Sequence, residues 1–207
     1  VLSEDYFSKF YLHNLFKSKI VEIAPYVIMQ KNRDLITKKN KYLKIGYLGR
    51  ISNEKGLEYL IRVSNKMQNK KIEHELIIAG NDKDKRFINY INYLKMKSYK
   101  NKNIKFIGHI NDYKKNDFYN EIDLFVLPST NSFEAFGIVQ LEAMSYGVPV
   151  LASNIYGVRT IIEKTGGGLL FESKNYNQLF EKINNFKKSK FDSQKIKSNL
   201  HKVYNKK

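Results

Sequence analysis

Residues 44–66 read Lys44-Ile45-Gly46-Tyr47-Leu48-Gly49-Arg50-Ile51-Ser52-Asn53-Glu54-Lys55-Gly56-Leu57-Glu58-Tyr59-Leu60-Ile61-Arg62-Val63-Ser64-Asn65-Lys66, and they decide the fold class. An apolar run, Lys44–Leu48, stops at Gly49. Turn chemistry fills 49–56, and apolar residues then recur with helical period to 69, so the stretch reads as strand, turn and helix. The same unit repeats downstream. Strands are expected at Lys44–Leu48, Glu75–Ala79, Ile104–Ile107, Leu124–Leu127, Val148–Ala152 and Gly168–Phe171. Helices are expected near 56–69, 85–99, 114–121, 137–146, 157–164, 175–188 and 192–205. This alternation specifies an α/β fold, a Rossmann-like doubly wound parallel sheet of about six strands. In such sheets ligands bind beyond the carboxyl ends of the strands, so function is sought in the loops at Gly49, Gly80, Gly108, Pro128-Ser129 and Ser153-Asn154.

The 207 residues carry a net charge of +17 and are 42% hydrophobic, enough for one sizeable core. With no cysteine there is no disulfide framework, thiolate metal site or Cys nucleophile. No run approaches the roughly 18 apolar residues of a membrane span, and Val1-Leu2-Ser3-Glu4-Asp5 has no signal-peptide character. A cytoplasmic chain is expected, and its non-Met start reads as an excised piece of something longer. The charge is unevenly placed: 31–44, 95–105 and 182–207 carry +5, +5 and +8, whereas 106–181 is −4. The basic residues are 32 Lys against 5 Arg, a poor match to bidentate reading of bases, so no nucleic-acid partner is expected. Clustered Lys beside aromatics leaves peripheral contact with an anionic membrane as a minor expectation. Before residue 44 the rhythm is absent. Tyr6, Phe7, Phe10, Tyr11, Leu15 and Phe16 form an aromatic stripe at helical spacing, Val21–Ala24 reads as a short strand, and 31–43 as a polar linker.

Two loops carry the chemistry. The turn from Gly49 to Gly56 joins a strand to a helix N-terminus, where free N–H groups and the helix dipole favour an anion, and Arg50 and Lys55 bracket it with two cations. An ordinary turn capped by Ser52 or Asn53 is the plainer alternative. The second stretch is Pro128-Ser129-Thr130-Asn131-Ser132-Phe133-Glu134-Ala135-Phe136-Gly137-Ile138-Val139-Gln140-Leu141-Glu142-Ala143-Met144. Gln140 and Glu142 lie about 200° apart on the helix, so at least one faces packed or cleft surroundings. Glu134 and Glu142 are expected to face one strand-end crevice. Gly166-Gly167-Gly168 serves equally as a helix cap leading into a strand. Asp82-Lys83-Asp84 has the Asp-x-Asp form that some sugar transferases use for a metal, but cations surround it and a solvated loop is expected. His13, His74, His109 and His201 lack ligand spacing, and no metal site is expected.

Gly-Arg-x4-Lys-Gly at 49–56, Glu-x7-Glu from Glu134 to Glu142 and Glu-Ala-Met-x-x-Gly-x-Pro-Val at 142–150 resemble the carboxyl-terminal domain of a family 4 glycosyltransferase of GT-B architecture. The resemblance extends over about 44–190. It implies a nucleotide-sugar-binding domain there, a remnant of the amino-terminal domain and hinge at 1–30, with Ala24-Pro25-Tyr26-Val27 in place of the usual Pro-Asn-Gly-Val turn, and a basic carboxyl-terminal helix at 191–207.

The activity implied is a retaining hexosyl transfer from a UDP-sugar or GDP-sugar to a saccharide or lipid-linked saccharide, with no cofactor and no metal. In that reading Arg50 and Lys55 hold the pyrophosphate, Glu134 binds the donor sugar and Glu142 the ribose. The backbone of Gly49, Phe136, Gly137 and Ile138 faces sugar and phosphate. Most of the amino-terminal domain is absent, so the chain alone is expected to hold a donor without completing transfer. Ala135 stands where the family often has Gly, and Tyr156 and Thr160 where a Gly-Gly and an acid are common. A nucleotide-sugar epimerase, a phosphorylase-like enzyme, and a non-enzymatic basic module on membrane or nucleic acid are the rival readings.

Overall fold

In the computed structural model, which describes residues 41–131, 134 and 136–204, six strands form one parallel sheet. The aromatic stripe and short strand expected before residue 40 lie outside the described residues. The strands are β1 (Leu43–Leu48), β2 (His74–Ala79), β3 (Ile104–Gly108), β4 (Leu124–Leu127), β5 (Val150–Ser153) and β6 (Gly168–Phe171), in spatial order β3-β2-β1-β4-β5-β6. The helices between them are α1 (Leu57–Asn69), α2 (Ile88–Ser98), α3 (Asp112–Glu121), α4 (Ile138–Ser145) and α5 (Tyr156–Thr165). Two more follow, α6 (Tyr176–Asn184) and α7 (Ser193–Tyr204).

Both faces of a parallel sheet are covered, which is why β4 and the Leu76–Ala79 part of β2 read as unbroken apolar runs. Ile45, Tyr47, Leu76, Ile78 and Phe125 are fully buried at its centre. Helix α6 returns to pack on α1, and α7 lies across α4 and α5, burying Ile196, Leu200 and Tyr204. The chain winds outward from β1 through β2 to β3, jumps back to β4 beside β1, then winds the other way. The loops leaving β1 and β4 therefore diverge, and a crevice opens between them.

The expected strands agree within a residue except at β5. Val148 donates its N–H to the Ala143 carbonyl and so belongs to the end of α4, and Pro149 has no N–H for the ladder, so pairing starts at Val150. The helix expected over 175–188 stops at Asn184. Asn185 caps it, and the chain folds so that the Phe186 and Phe191 rings stack 5.6 Å apart. Helix α3 starts at Asp112, two residues earlier than expected, because the Asn111 side chain accepts from the Lys114 N–H at 3.0 Å. The helix expected from 85 opens as a 3-10 turn, Lys85–Phe87, before α2.

Candidate functional site

At the switch point a cavity of about 330 Å³ lies over the ends of β1 and β4. Gly49 and Lys55 line it from the first loop, Glu134, Phe136, Gly137 and Ile138 from the second, with Tyr47 and Leu127 beneath. A slightly larger hollow, about 410 Å³, sits where β2 and β3 begin, around His74 and Glu75. The topology favours the smaller one, because only strand carboxyl ends combine divergent loops with helix N-termini.

The two loops are stitched together by backbone. Thr130 donates its N–H to the Glu54 carbonyl at 2.8 Å. Gly56 sits in the left-handed region, φ 65°, and a β-carbon there would fall 2.0 Å from the Pro128 carbonyl oxygen. Only glycine permits that approach. Gly137, φ 59°, plays the same part at the start of α4, where a β-carbon would meet Leu127 at 2.6 Å. It leaves the first N–H groups of α4 at the cavity rim, with no acidic side chain in the first turn to cap them.

Within this frame Lys55 and Glu134 form an ion pair, with side chains only 17% and 15% exposed. Ser129 Oγ adds a hydrogen bond to Glu134 Oε2 at 3.1 Å. Beneath them the buried Tyr47 hydroxyl donates to the Arg50 carbonyl at 2.7 Å. Burial, followed by the negative charge of Glu134, pushes that phenol well above its ordinary pKa. Arg50 projects outward, its side chain 51% exposed, paired with Glu54 at 3.1 Å and lying 5.7 Å from the Phe87 ring centre. Ser52, one of the two capping residues of the plainer alternative, stands at the N-cap without a side-chain cap bond; its hydroxyl donates to Glu54 at 2.6 Å.

The second carboxylate departs from expectation. Gln140, not Glu142, is the polar residue of α4 that is driven inside: it is fully buried, and its amide donates to the Phe136 and Val158 carbonyls at 3.1 and 3.2 Å. Glu142 lies one turn beyond Ile138 on the same stripe of the helix, outside the residues lining the cavity. It faces α3, where Lys115 Nζ reaches Oε1 at 3.1 Å and the Tyr119 hydroxyl donates to Oε2 at 3.0 Å. Sequence reasoning named the Pro128-Ser129 loop but gave Ser129 no role, and it missed Lys115 and Tyr119; the i, i+4 spacing of Lys115 and Tyr119 on a short polar helix gives no sign of their common partner.

The other positions singled out by sequence lie outside the residues lining this cavity. Gly166 closes α5 as its cap, and Gly168 packs against the Val150 carbonyl. In the Asp-x-Asp segment Asp82 pairs with Lys95 at 2.7 Å and Asp84 with Arg86 at 2.7 Å. His109 is exposed, while His74 is buried and bonded to Ser64 Oγ at 2.7 Å and the Ile72 carbonyl at 2.8 Å. Tyr156 opens α5, about half exposed, with Arg159 4.3 Å over its ring.

A helix N-terminus, an outlying arginine, and a carboxylate already neutralised by lysine can together hold a phosphorylated ligand and still accept hydrogen bonds from its hydroxyls.

Residues 29–203 match the family model described as glycosyl transferases group 1. The capsular polysaccharide biosynthesis glycosyltransferase CapM of Staphylococcus aureus is 31% identical over 144 residues, 70% of this chain and 36% of CapM. An uncharacterized glycosyltransferase of Methanocaldococcus jannaschii is 33% identical over 129 residues, 62% of this chain and 32% of that protein. The chain thus spans about a third of the length of these curated relatives. The carboxyl-terminal domain of the group 1 protein LpcC of Francisella tularensis aligns with a TM-score of 0.62 over 79% of this chain and 83% of that domain, at 26% identity. Anabaena HepE, solved in complex with UDP-glucose, aligns at 0.66 over 79% of this chain and 45% of HepE; at 21% identity that likeness is one of fold.

Proposed function

The chain belongs to the group 1 glycosyl transferases, and within that family we propose that it is the donor-binding part of a retaining, family 4 enzyme using a UDP-sugar or GDP-sugar. The observation that carries this reading is the Lys55–Glu134 pair set against the N-terminus of α4 at the switch point. A diphosphate laid over that N-terminus meets the N–H groups of Gly137 and Ile138 and the half-exposed Arg50. Lys55 neutralises Glu134, so the carboxylate accepts hydroxyls of the donor sugar without repelling the phosphates.

As the glycosidic bond breaks, negative charge grows on the leaving diphosphate. Preoriented dipoles and cations stabilise that charge, the task a divalent ion performs in other transferases. The acceptor attacks on the face the diphosphate leaves, and the leaving phosphate takes its proton, which retains configuration. The acceptor, a saccharide or lipid-linked saccharide, is assigned to a domain outside this chain. In the same reading the enzyme works in the cytoplasm, and the Lys-rich flanks bring it to anionic membranes.

Calorimetric titration of the chain with UDP, GDP and their sugars, without added metal, tests the reading. Binding of one of these that Glu134→Ala weakens at least about tenfold is the expected result. No heat from any of them overturns it. Slow release of free sugar and nucleotide, or epimerisation of the donor, would move the assignment to the rival chemistries.

A further inference from the structure

Resting on the donor-binding reading, we infer that Tyr119 and Lys115 of α3 are positioning residues that hold the Glu142 carboxylate for the vicinal hydroxyls of the donor's ribose. The carboxylate is partly open, its side chain 29% exposed, yet both oxygens are gripped: Oε1 by Lys115 at 3.1 Å, Oε2 by Tyr119 at 3.0 Å. Lys115 also reaches Asp112, at 3.3 Å.

The grip is rigid because Tyr119 has nowhere else to go. Its side chain is 1% exposed, its ring stacks on Tyr146 at 5.0 Å, and Phe118 and Phe125 close the other sides at 5.1 and 6.0 Å. Tyr146 is itself tied to Asn116 of α3. A tyrosine hydroxyl so fixed lets Glu142 lose little rotamer freedom when a ligand arrives. Burial, then the charge of Glu142, raises the pKa of this phenol and favours its protonated, donating form.

Stoichiometry makes the arrangement specific. An ionised carboxylate offers about four acceptor positions, and α3 fills one on each oxygen. One position per oxygen remains, which matches two O–H donors on adjacent carbons. Lys115 also cancels the charge that would otherwise repel the diphosphate one helical turn away. Burial acts against its own charge, but the hydrogen bond and charge of Glu142 outweigh this and raise its pKa. Each carboxylate of the Glu134/Glu142 pair therefore carries its own lysine.

The test compares UDP and GDP with their 2′,3′-dideoxy forms by calorimetry on the wild type, Tyr119→Phe, Lys115→Gln and Lys115→Arg. The wild type should prefer the ribonucleotide by about tenfold or more, since a site built for hydroxyls rejects a ligand lacking them. Tyr119→Phe should cut that ratio to within about threefold while still binding the dideoxy form as the wild type does, a pattern general loosening of the fold does not produce. Lys115→Gln should weaken both forms, and Lys115→Arg should restore them. A wild-type preference kept in full by Tyr119→Phe, with both forms bound by Lys115→Gln as tightly as by the wild type, overturns the role of α3 and leaves Glu142 as the ribose ligand. Absence of a wild-type preference, with diphosphate binding intact, removes Glu142 from the ribose and the inference with it, while the donor site stands. Should Tyr119→Phe not fold, the Lys115 variants decide alone.

Discussion

Lys55 and Glu134 stand 79 positions apart and meet as a mostly buried ion pair at the carboxyl ends of β1 and β4. The chain can bring them together because Gly56 allows the Pro128 carbonyl to close on the start of α1. Lys55→Met leaves a carboxylate without its counter-charge, so a stability loss of about 1–3 kcal/mol is expected, measured by urea unfolding. Lys55→Met/Glu134→Leu should lose less than the two single changes summed, because neither charge is then stranded.

Arg50 answers a different question, since its ion pair with Glu54 is half exposed and contributes about 0.5 kcal/mol or less. Arg50→Ala should leave the melting temperature nearly unchanged and still weaken nucleoside diphosphate binding about tenfold. It should also flatten the salt dependence of that binding. Unaltered affinity in this variant would remove Arg50 from the phosphate site.

Gly56→Ala should be costly out of proportion to its size. The φ of 65° disfavours any β-carbon, and this one would collide with backbone, which cannot move aside like a side-chain tip. A loss of at least about 2 kcal/mol in unfolding free energy is expected. A variant as stable as the wild type would show that the two loops are not held by this contact.

His74 makes stability depend on pH. Burial lowers its pKa below the ordinary value of 6.5, with the hydrogen bond to Ile72 acting the other way, so folding favours the neutral imidazole. Between the two pKa values the unfolded chain binds more protons than the folded one, so stability is full above about pH 6.5 and falls as the pH drops below it. The melting temperature should decline from pH 7 towards pH 5, and His74→Gln should reduce that slope whatever it does to the level. An equal slope in both proteins would mean that other groups set the acid response.

The alternation of strands and helices was legible in the chain because it rests on neighbours. A strand buried on both faces is mostly apolar, and a loop that turns it into a helix is rich in residues such as Gly, Ser or Pro. The same locality made Gly49–Gly56 and Glu134–Glu142 stand out, and their residue types were enough to point to the family. Errors fell where a distant partner decides the outcome. Helix α6 ends at Asn184, beyond which Phe186 stacks on Phe191 five positions away, and β5 starts late because Val148 still bonds to α4.

Sequence by itself therefore determined the fold class and the strand ends to inspect, and it singled out both glutamates as candidates. Only the tertiary structure decided which polar residue of α4 is driven inside, since helical spacing says that Gln140 and Glu142 face apart but not which of them meets the core. It also decided that Lys55 belongs to Glu134, and Lys115 and Tyr119 to Glu142. Those pairings depend on the jump from β3 to β4 that sets loops and helices side by side, and no local pattern of residues records that jump.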